Sequence, residues 1–313
     1  MKEKNFISAV VYVHNAEKRI ERFLESLIKV LEDNFEHSEI ICVNDYSGDD
    51  SVDKIREISQ IAGNMSISVV NLSYFHGLEI AMNAGVDLSI GDFVLEFDNT
   101  VLDYDPMEIM RVYRRALEGY DIVSASADKR EKLSSKIFYT IYDKYAINPT
   151  NKMCTESFRI LSRRVLNRAS HMNKTVPYRK AVYSYSGLKA DNLLYQPKIS
   201  NDITYKPSKL EKRNKVELGM DTLLLFTNVG YKISMTMSVI MLIMMLAVII
   251  YTFIAYAVSS PVAGWTSSIL FLSVAFSGVF VILSIVIKYL QLLLELVFKR
   301  QQYSFESIEK LTK

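Results

Sequence analysis

The sequence predicts an α/β domain with a mostly parallel sheet, followed by two apolar helices that cross a membrane as a hairpin. Three observations predict this arrangement. Strand and helix patterns alternate through the first 125 residues, two long stretches near the C-terminus carry no charge, and half of the 313 residues are hydrophobic. Such alternation builds a parallel sheet with helices on both faces.

Each element of the domain follows from its hydrophobic period. The first helix, for example, repeats Ile20, Phe23, Leu24, Leu27 and Leu31 at helical spacing. Strands are predicted at residues 7–13, 39–44, 66–72 and 92–97, and helices at 17–31, 52–61 and 78–87.

The composition narrows the class of function. The formal net charge is only +2 and no long basic run with interleaved aromatics occurs, so we expect no nucleic-acid partner. Cys42 and Cys154 fit no metal spacing or disulfide framework, which suits a reducing compartment. The first apolar run, residues 7–13, is too short for a signal peptide and lacks a cleavage site.

Polar side chains follow the predicted strands at the points where they end. They are His14, Asn15 and Glu17 after the first strand, Asp45 and Ser47 after the second, and Asp98 after the fourth. Ligands bind at the carboxyl ends of strands in such sheets, so this placement predicts a nucleotide site. Asp45 suits the imide N–H of a uracil or an equivalent base edge, although aspartate is also a common turn residue.

Two uncharged stretches predict the membrane helices. A bilayer core needs roughly 20 apolar residues in a helix, and Ser259-Ser260-Pro261 separates two stretches of at least this length. Trp265 suits the interfacial aromatic belt. The predicted organisation is a domain at 1–205, an amphipathic juxtamembrane segment at 206–232, helices at 233–258 and 265–287, and a tail at 288–313.

The distribution of positive charge predicts the orientation. The turn between the helices is uncharged, whereas lysine and arginine flank the hairpin: Lys206, Lys209, Lys212, Arg213, Lys215, Lys232, Lys288, Lys299 and Arg300. By the positive-inside rule both ends face the cytoplasm. We therefore expect a multi-pass protein of the cell membrane with a cytoplasmic domain, and a homo-oligomer is compatible with this arrangement.

Several motifs carry a resemblance to a known family. Three runs in the first half of the chain carry it: SAVVYVHNAEKRIERFLESL, IICVNDYSGDDSVDKI and HGLEIAMNAGVDLSIGDFVLEFD. In this order they resemble the P-x-Y-N-E-E, V-D-D-G-S-T-D and D-x-D regions of family-2 glycosyltransferases, which have the GT-A fold. CTESFRILSRRVL is similar to the F-R-L-x-x-R block of polyprenyl-phosphate glycosyltransferases, the group that includes dolichol-phosphate mannose synthase. LSSKIFYTIYDKY and YRKAVYSYSGL match further segments, and the two-helix tail fits the same group.

The chain also departs from the family pattern at several positions. The proline of the first turn is replaced by Tyr12, and the acidic residue after Asn15 by Ala16. In V-D-D-G, the first Asp is Asn44 and the Gly is Tyr46. The Arg-Asn pair is Tyr74-Phe75, D-x-D is Asp98-Asn99-Thr100, and the acidic residue before Phe158 is Ser157. The altered D-x-D bears most directly on metal binding, because it loses one of two carboxylates.

The resemblance implies a membrane glycosyltransferase that moves a sugar from a UDP- or GDP-sugar to polyprenyl phosphate, for a cell-envelope polysaccharide. It implies a donor site at Val13, Asn15, Glu17, Asp45 and Ser47. Asp98 and Arg159 are the implied catalytic residues.

The two charged substrates define further expectations. Mg²⁺ or Mn²⁺ would be held by Asp98, with Asp103 as a second carboxylate. A lipid phosphate needs cations rather than a strong base, and the candidates are Lys129, Arg130, Arg159, Arg163 and Lys180. A catalytically silent homologue that acts as a membrane scaffold is the alternative function. A transporter is disfavoured because two helices without buried charge offer no substrate path.

Overall fold

The computed structural model describes residues 2–60, 62–63, 65–128, 133–145, 155–172, 178–184, 186–198, 209–227, 264–298 and 304–312, with scattered residues between 229 and 250. The chain forms two compact units. The first contains Met1–Asp143, Asn148–Gly219 and Gln301–Lys313, and the second contains Lys144–Ile147 and Met220–Arg300.

The described residues contain the following elements. The strands are β1 Ile7–Val13, β2 Ser38–Asn44, β3 Ser66–Leu72, β4 Phe93–Phe97, β5 Ile122–Ala127, β6 Phe158–Ser162, β7 Ala190–Tyr195 and β8 Phe305–Lys310. The helices are α1 Ile20–Asn34, α2 Ser51–Ser59, α3 Leu78–Leu88, α4 Glu108–Leu117, α5 Leu133–Tyr145, α6 Arg163–Met172, α7 Arg179–Ser184, α8 Lys209–Phe226 and α9 Gly264–Phe298.

All eight strands form one sheet in the order β7-β5-β6-β4-β1-β2-β3-β8. The pairs β1–β2, β1–β4, β2–β3 and β5–β7 are parallel. The pairs β4–β6, β5–β6 and β3–β8 are antiparallel. The predicted parallel α/β arrangement is therefore confirmed for β1 to β4, and the complete sheet is mixed.

Side chains of β1 alternate between two hydrophobic clusters, one on each face of the sheet. Ala9, Val11 and Val13 belong to the cluster that includes residues of α1, α2 and α4. Val10 and Tyr12 belong to the cluster that includes residues of α3, α6 and α7. This alternation is the period of two expected for a strand covered on both faces.

Gly85 sets the distance between α3 and the sheet. A Cβ atom at this position would lie 2.4 Å from Val10 Cγ1 and 2.6 Å from Val43 Cγ2. A larger residue would therefore push α3 away from β1 and β2. The first turn of α3 carries Glu79, so this close packing also positions a charged side chain of the candidate site.

The second unit contains α9, which continues past the predicted boundary at residue 287 to Phe298. Many of its apolar side chains are exposed, namely Leu272, Val274, Phe276, Val279, Val281, Leu283, Val286, Ile287, Leu290 and Leu293. Within the part of the chain that the structure describes, no helix combines the length and apolar character required to cross a membrane. The predicted turn at residues 259–261 and much of 233–258 lie outside the described residues.

The end of the chain belongs to the first unit. β8 pairs antiparallel with β3 and forms one edge of the sheet, with Val70 opposite Ile308 and Val69 opposite Glu309. The predicted tail at 288–313 thus comprises the end of α9 and a strand of the domain. α8 provides a helix within the predicted juxtamembrane segment, and its Val216 and Met220 are exposed.

Candidate active site

The turns after β1 and β2 are joined by hydrogen bonds between backbone atoms and between backbone and side-chain atoms. Val13 O accepts from the Asp45 amide at 2.9 Å. The Asn15 amide donates to Ser47 Oγ at 3.1 Å, and Asn15 Oδ1 accepts from the Gly48 amide at 2.9 Å. Asn15 has a positive φ of 47°. The predicted donor residues of the first two turns are therefore brought together at the carboxyl edge of the sheet.

Glu17 joins the two turns through its backbone amide. Its amide donates to Asp49 Oδ2 at 3.0 Å, and the neighbouring Ala16 amide donates to Ser51 Oγ at 2.8 Å. These bonds hold the backbone at the start of the segment leading to α1 against the start of α2. The turns form a rigid pair in which each loop satisfies amides of the other.

Asp45 connects these turns to the loop after β3. Its carboxylate is fully buried and accepts from Tyr12 Oη at 3.0 Å, from the His76 amide at 2.7 Å and from the Gly77 amide at 2.8 Å. Burial raises the pKa of Asp45, although the amides and Tyr12 oppose this shift. The side chain therefore positions the loop at residues 73–77, and its contact with a base stays a prediction.

Asp98, directly after β4, is held between two arginines. Arg159 Nη2 donates to Asp98 Oδ2 at 2.6 Å, and Arg179 Nη2 donates to Oδ1 at 2.8 Å. Arg159 lies on β6, which pairs with β4, and Arg179 is the first residue of α7. Burial disfavours the charged carboxylate, but Arg159, Arg179 and Lys180 outweigh it and lower the pKa of Asp98. Asp98 is therefore an anion.

Three more carboxylates complete a buried charge network. Glu96 lies 3.2 Å from Arg159 Nε and 2.8 Å from Arg179 Nη1. Glu79 accepts from Arg179 Nε at 3.0 Å, while Glu156 lies 3.2 Å from Arg159 Nε. Because removal of one member leaves buried charges uncompensated, these residues act as a unit.

Five buried side-chain atoms of this site have no hydrogen-bond partner among the described residues: Glu96 Oε2, Thr100 Oγ1, Arg159 Nε, Arg159 Nη1 and Arg179 Nη1. Glu96 Oε2, Arg159 Nε and Arg179 Nη1 lie within 3.2 Å of an opposite charge, so the two atoms that matter here are Arg159 Nη1 and Thr100 Oγ1. The Arg159 side chain is only 1% exposed, and Thr100 is 3% exposed. A buried donor normally finds a partner, so an anionic oxygen is a chemically suitable ligand for this guanidinium.

Lys180 belongs to the network, whereas Arg163 does not. Lys180 Nζ lies 3.1 Å from Glu156, and despite burial this carboxylate raises the pKa of Lys180. Arg163 instead donates to Gly91 O at 2.9 and 2.6 Å, at the opposite end of β4 from Asp98. Gly91 precedes Asp98 by seven residues, and a strand advances about 3.3 Å per residue. Arg163 therefore lies at the start of β4, away from Asp98 and Arg159, and its contact with an acceptor phosphate stays a prediction.

Asp103 is engaged outside the arginine network. Its Oδ1 accepts from Tyr195 Oη at 2.8 Å, and Tyr195 Oη is also 2.5 Å from Ser157 Oγ. Asp103 is thus linked through Tyr195 to Ser157. The role of Asp103 as a metal ligand stays a prediction. Lys129 and Arg130 lie outside the described residues.

Sequence reasoning missed Arg179, Glu79, Glu96 and Glu156. A charged partner for Glu96 could have been predicted, because a glutamate within the buried strand FVLEF requires a cation next to it. Arg179 stood beside the predicted Lys180 in a quoted motif, yet nothing local indicates that it reaches Asp98.

The fold is a mixed α/β sheet with a polar and charged site at the carboxyl ends of its parallel strands, and comparison with known proteins identifies the family. Residues 8–171, just over half of the chain, match the family model Glycosyl transferase family 2. The chain belongs to this family and is a glycosyltransferase.

Three relatives illustrate the similarity. The glycosyltransferase sll0501 of Synechocystis sp. is 30% identical over 198 residues, which are 60% of this chain and 60% of that protein. YkcC of Bacillus subtilis, also named as a glycosyltransferase, is 26% identical over 90% of this chain and 88% of its own length. Undecaprenyl-phosphate 4-deoxy-4-formamido-L-arabinose transferase of Proteus mirabilis is 33% identical over 41% of this chain and 38% of its own.

Among the solved structures that are similar to this chain is glucosyl-3-phosphoglycerate synthase of Mycobacterium tuberculosis, in complex with Mn²⁺, UDP-glucose and glycerol 3-phosphate. It is 17% identical, covers 70% of this chain and 78% of its own, and has a TM-score of 0.48.

The residues after β4 offer limited ligands for a divalent ion. Asp98 provides a carboxylate, each of whose oxygens already accepts from an arginine, and Thr100 provides a hydroxyl that has no hydrogen-bond partner among the described residues. Both are hard oxygen donors. No group of three or more His, Cys, Asp and Glu side chains within the described ranges is arranged to hold a metal. This donor set fits an ion that takes most of its ligands from a bound diphosphate and water, as Mg²⁺ commonly does.

Proposed function

We propose that this glycosyltransferase moves a sugar from a nucleotide-sugar donor to a polyprenyl-phosphate-type lipid at the cytoplasmic face of the membrane. The names of the Proteus mirabilis relative and its counterparts in other bacteria support a polyprenyl-phosphate acceptor. The paired turns after β1 and β2 support a nucleotide donor, because polar groups converge there at the carboxyl edge of the sheet.

The Asp98–Arg159 pair is the observation that carries the proposal. It places an anion and a guanidinium with an unpartnered Nη1 at the end of β4, where a donor diphosphate and an acceptor phosphate would meet. Arg159 binds phosphate oxygen through charge-assisted hydrogen bonds, and its planar geometry suits this task. Lys180, which is 13% exposed, contributes a second positive charge.

The reaction requires one bond to form and one to break. A lipid-phosphate oxygen attacks the anomeric carbon of the sugar, and the bond from that carbon to the nucleoside diphosphate breaks with inversion. The departing diphosphate takes the electron pair. The attacking oxygen is already ionised at neutral pH, so no strong general base is required and the polar Ser157 before Phe158 is compatible with transfer.

Charge stabilisation is the main contribution of the protein. Asp98 and Thr100 would hold Mg²⁺ or Mn²⁺, which neutralises negative charge on the leaving diphosphate. Glu79 and Glu96 fix the two arginines, and through them the orientation of Asp98. Such prearranged charges act without reorganisation during the reaction.

Membrane attachment is part of the proposal. The uncharged stretches at 233–258 and 265–287 supply the apolar length, and the flanking lysines support a cytoplasmic domain. Exposed apolar residues occur on α9 and between residues 233 and 250, including Ile233, Met235, Ile243, Phe276 and Ile287. Exposed apolar side chains in this number suit lipid contact.

A donor screen tests the function. The full chain, reconstituted in vesicles that contain polyprenyl phosphate, is incubated with several UDP- and GDP-sugars, and released nucleotide and lipid-linked sugar are measured. We expect turnover with one donor class, and strong reduction in Asp98→Asn but not in the surface variant Arg164→Gln. If no donor binds or turns over, while the chain folds normally, the catalytically silent scaffold becomes the correct function.

A further inference from the structure

The last strand of the chain lies beside the candidate donor site. β8 is antiparallel to β3, so its first residues lie at the carboxyl end of β3, where the loop at residues 73–77 begins. The Ser73 amide donates to Ser304 O at 3.1 Å. The pairing shifts register between Asn71 and Leu72, next to this loop.

One connection from this strand reaches Asp45 through His76. The Ser304 amide donates to His76 Nε2 at 3.3 Å, while His76 Nδ1 is 2.6 Å from Tyr74 O. With the Nδ1 hydrogen directed at Tyr74 O, Nε2 is the acceptor. The His76 amide in turn donates to Asp45 Oδ1 at 2.7 Å.

A second connection reaches the turn after β2 through two buried asparagines. Asn71 Nδ2 donates to Ser307 Oγ at 2.9 Å and to Glu309 Oε1 at 3.0 Å. Asn71 Oδ1 accepts from Asn44 Nδ2 at 2.9 Å, and Asn44 Oδ1 accepts from the Ser47 amide at 3.0 Å. Asn44 and Asn71 are each 8% exposed, so their amides depend on these partners.

We propose that the C-terminal segment, formed by Ser304 and β8, positions the donor-binding loops and that Asn71 is the positioning residue of the path to Ser47. Two separate hydrogen-bond paths lead from this segment to Asp45 and to Ser47, the residues predicted to surround the nucleoside end of the donor. The ligand whose binding it supports is therefore the base and ribose of a nucleoside diphosphate. This inference rests on the proposed function, which it extends from the loops to the segment that holds them.

The chain provides a matched control at the other end of β3. Thr312 Oγ1 accepts from the Ile67 amide at 2.8 Å and donates to Met65 O at 2.7 Å. Thr312→Val removes both bonds near the C-terminus without touching either path to the donor loops. Ser307→Ala removes one partner of Asn71, and Ser307→Thr keeps the hydroxyl.

Two measurements on the full chain test the inference. In ligand-free protein, Asn71→Ala and Ser307→Ala should speed hydrogen exchange of the Ser47 amide, which ends the path through Asn71, by about tenfold, as expected for loss of one buried hydrogen bond. The dissociation constant for UDP or GDP should rise by about the same factor, with the acceptor KM unchanged. Ser307→Thr and Thr312→Val should behave like wild type.

The outcomes separate this inference from the proposed function. Unchanged exchange in Asn71→Ala and Ser307→Ala, or an equal increase in Thr312→Val, would overturn the positioning role. Faster exchange only in the first two variants supports that role. If the same experiment finds that wild type binds neither UDP nor GDP, the proposed function fails while the positioning of the loops stands.

Discussion

Arg179 donates a 2.8 Å hydrogen bond to Asp98, 81 residues earlier in the chain. The same guanidinium contacts Glu79 and Glu96, so a single side chain compensates three carboxylates from α3 and from the end of β4. A site of this kind depends on complete pairing, because each buried charge requires its partner.

Replacement of Arg179 should affect both stability and transfer. Arg179→Gln leaves three buried carboxylates with less positive charge, and we expect a loss of about 3–5 kcal/mol in the free energy of unfolding. Arg179→Lys should retain part of this stability but lose the several simultaneous contacts of the guanidinium. Urea unfolding and turnover of the same preparations check this. A stable and fully active Arg179→Gln would contradict the network's role.

Replacement of Arg159 should destabilise the buried network, as for Arg179, and of the two substrates it should affect the acceptor more. Arg159→Ala removes the guanidinium with the unpartnered Nη1, and we expect a penalty of roughly 1.5–3 kcal/mol in acceptor use. Steady-state kinetics with varied polyprenyl phosphate, alongside nucleotide-binding measurements, separate the two substrates. Lost nucleotide binding with unchanged acceptor dependence would exclude the assignment. Arg164→Gln, at a side chain that is 67% exposed, is the control.

The lowered pKa of Asp98 predicts loss of stability in acid. Its pKa in the folded state lies below the unfolded value of about 3.9, so its contribution is complete above that value and declines as the pH falls through the folded pKa. The difference in unfolding free energy between wild type and Asp98→Asn should shrink below about pH 4. Denaturant titrations between neutral pH and about pH 3 provide the measurement, and a pH-independent difference would count against it.

Metal binding should depend on the donor. With one carboxylate and one hydroxyl as protein ligands, affinity for Mn²⁺ alone should be barely detectable and should become clear once nucleotide sugar supplies phosphate oxygens. Calorimetry with and without donor, on wild type and Asp98→Ala, checks this. Equal donor binding and turnover in chelator, together with wild-type behaviour of Asp98→Ala, would rule out the metal role.

Both ends of the apolar region should face the cytoplasm. In a Cys154→Ser background, Ser260→Cys reports on the predicted outer turn and Glu306→Cys on the exposed first half of β8, while Cys42 is buried. An impermeant thiol reagent applied to intact cells should label only the first site. Equal labelling of both from outside would exclude the hairpin.

Local patterns in the sequence predicted the helices and strands of the first half of the domain. Strands β1 and β3 have the predicted bounds, and the other elements through β4 differ by a few residues. Asn15, Asp45, Ser47 and Asp98 lie where the sequence placed them, because residues after parallel strands meet at one edge of the sheet, and their contacts with substrate stay predictions. Each of these inferences uses a repeat of two or 3.6 residues, or a position at a strand end, which the chain carries locally.

Only the tertiary structure decided which charges meet. Arg159 and Arg163 are four residues apart, yet antiparallel pairing of β6 with β4 brings Arg159 opposite Glu96 and sends Arg163 to the far end of the strand. β8 escaped prediction because FESIEK lacks alternating hydrophobicity, and only pairing with β3, more than 230 residues earlier, makes it a strand. Strand order and register bring these distant residues together, and no local period in the sequence encodes them.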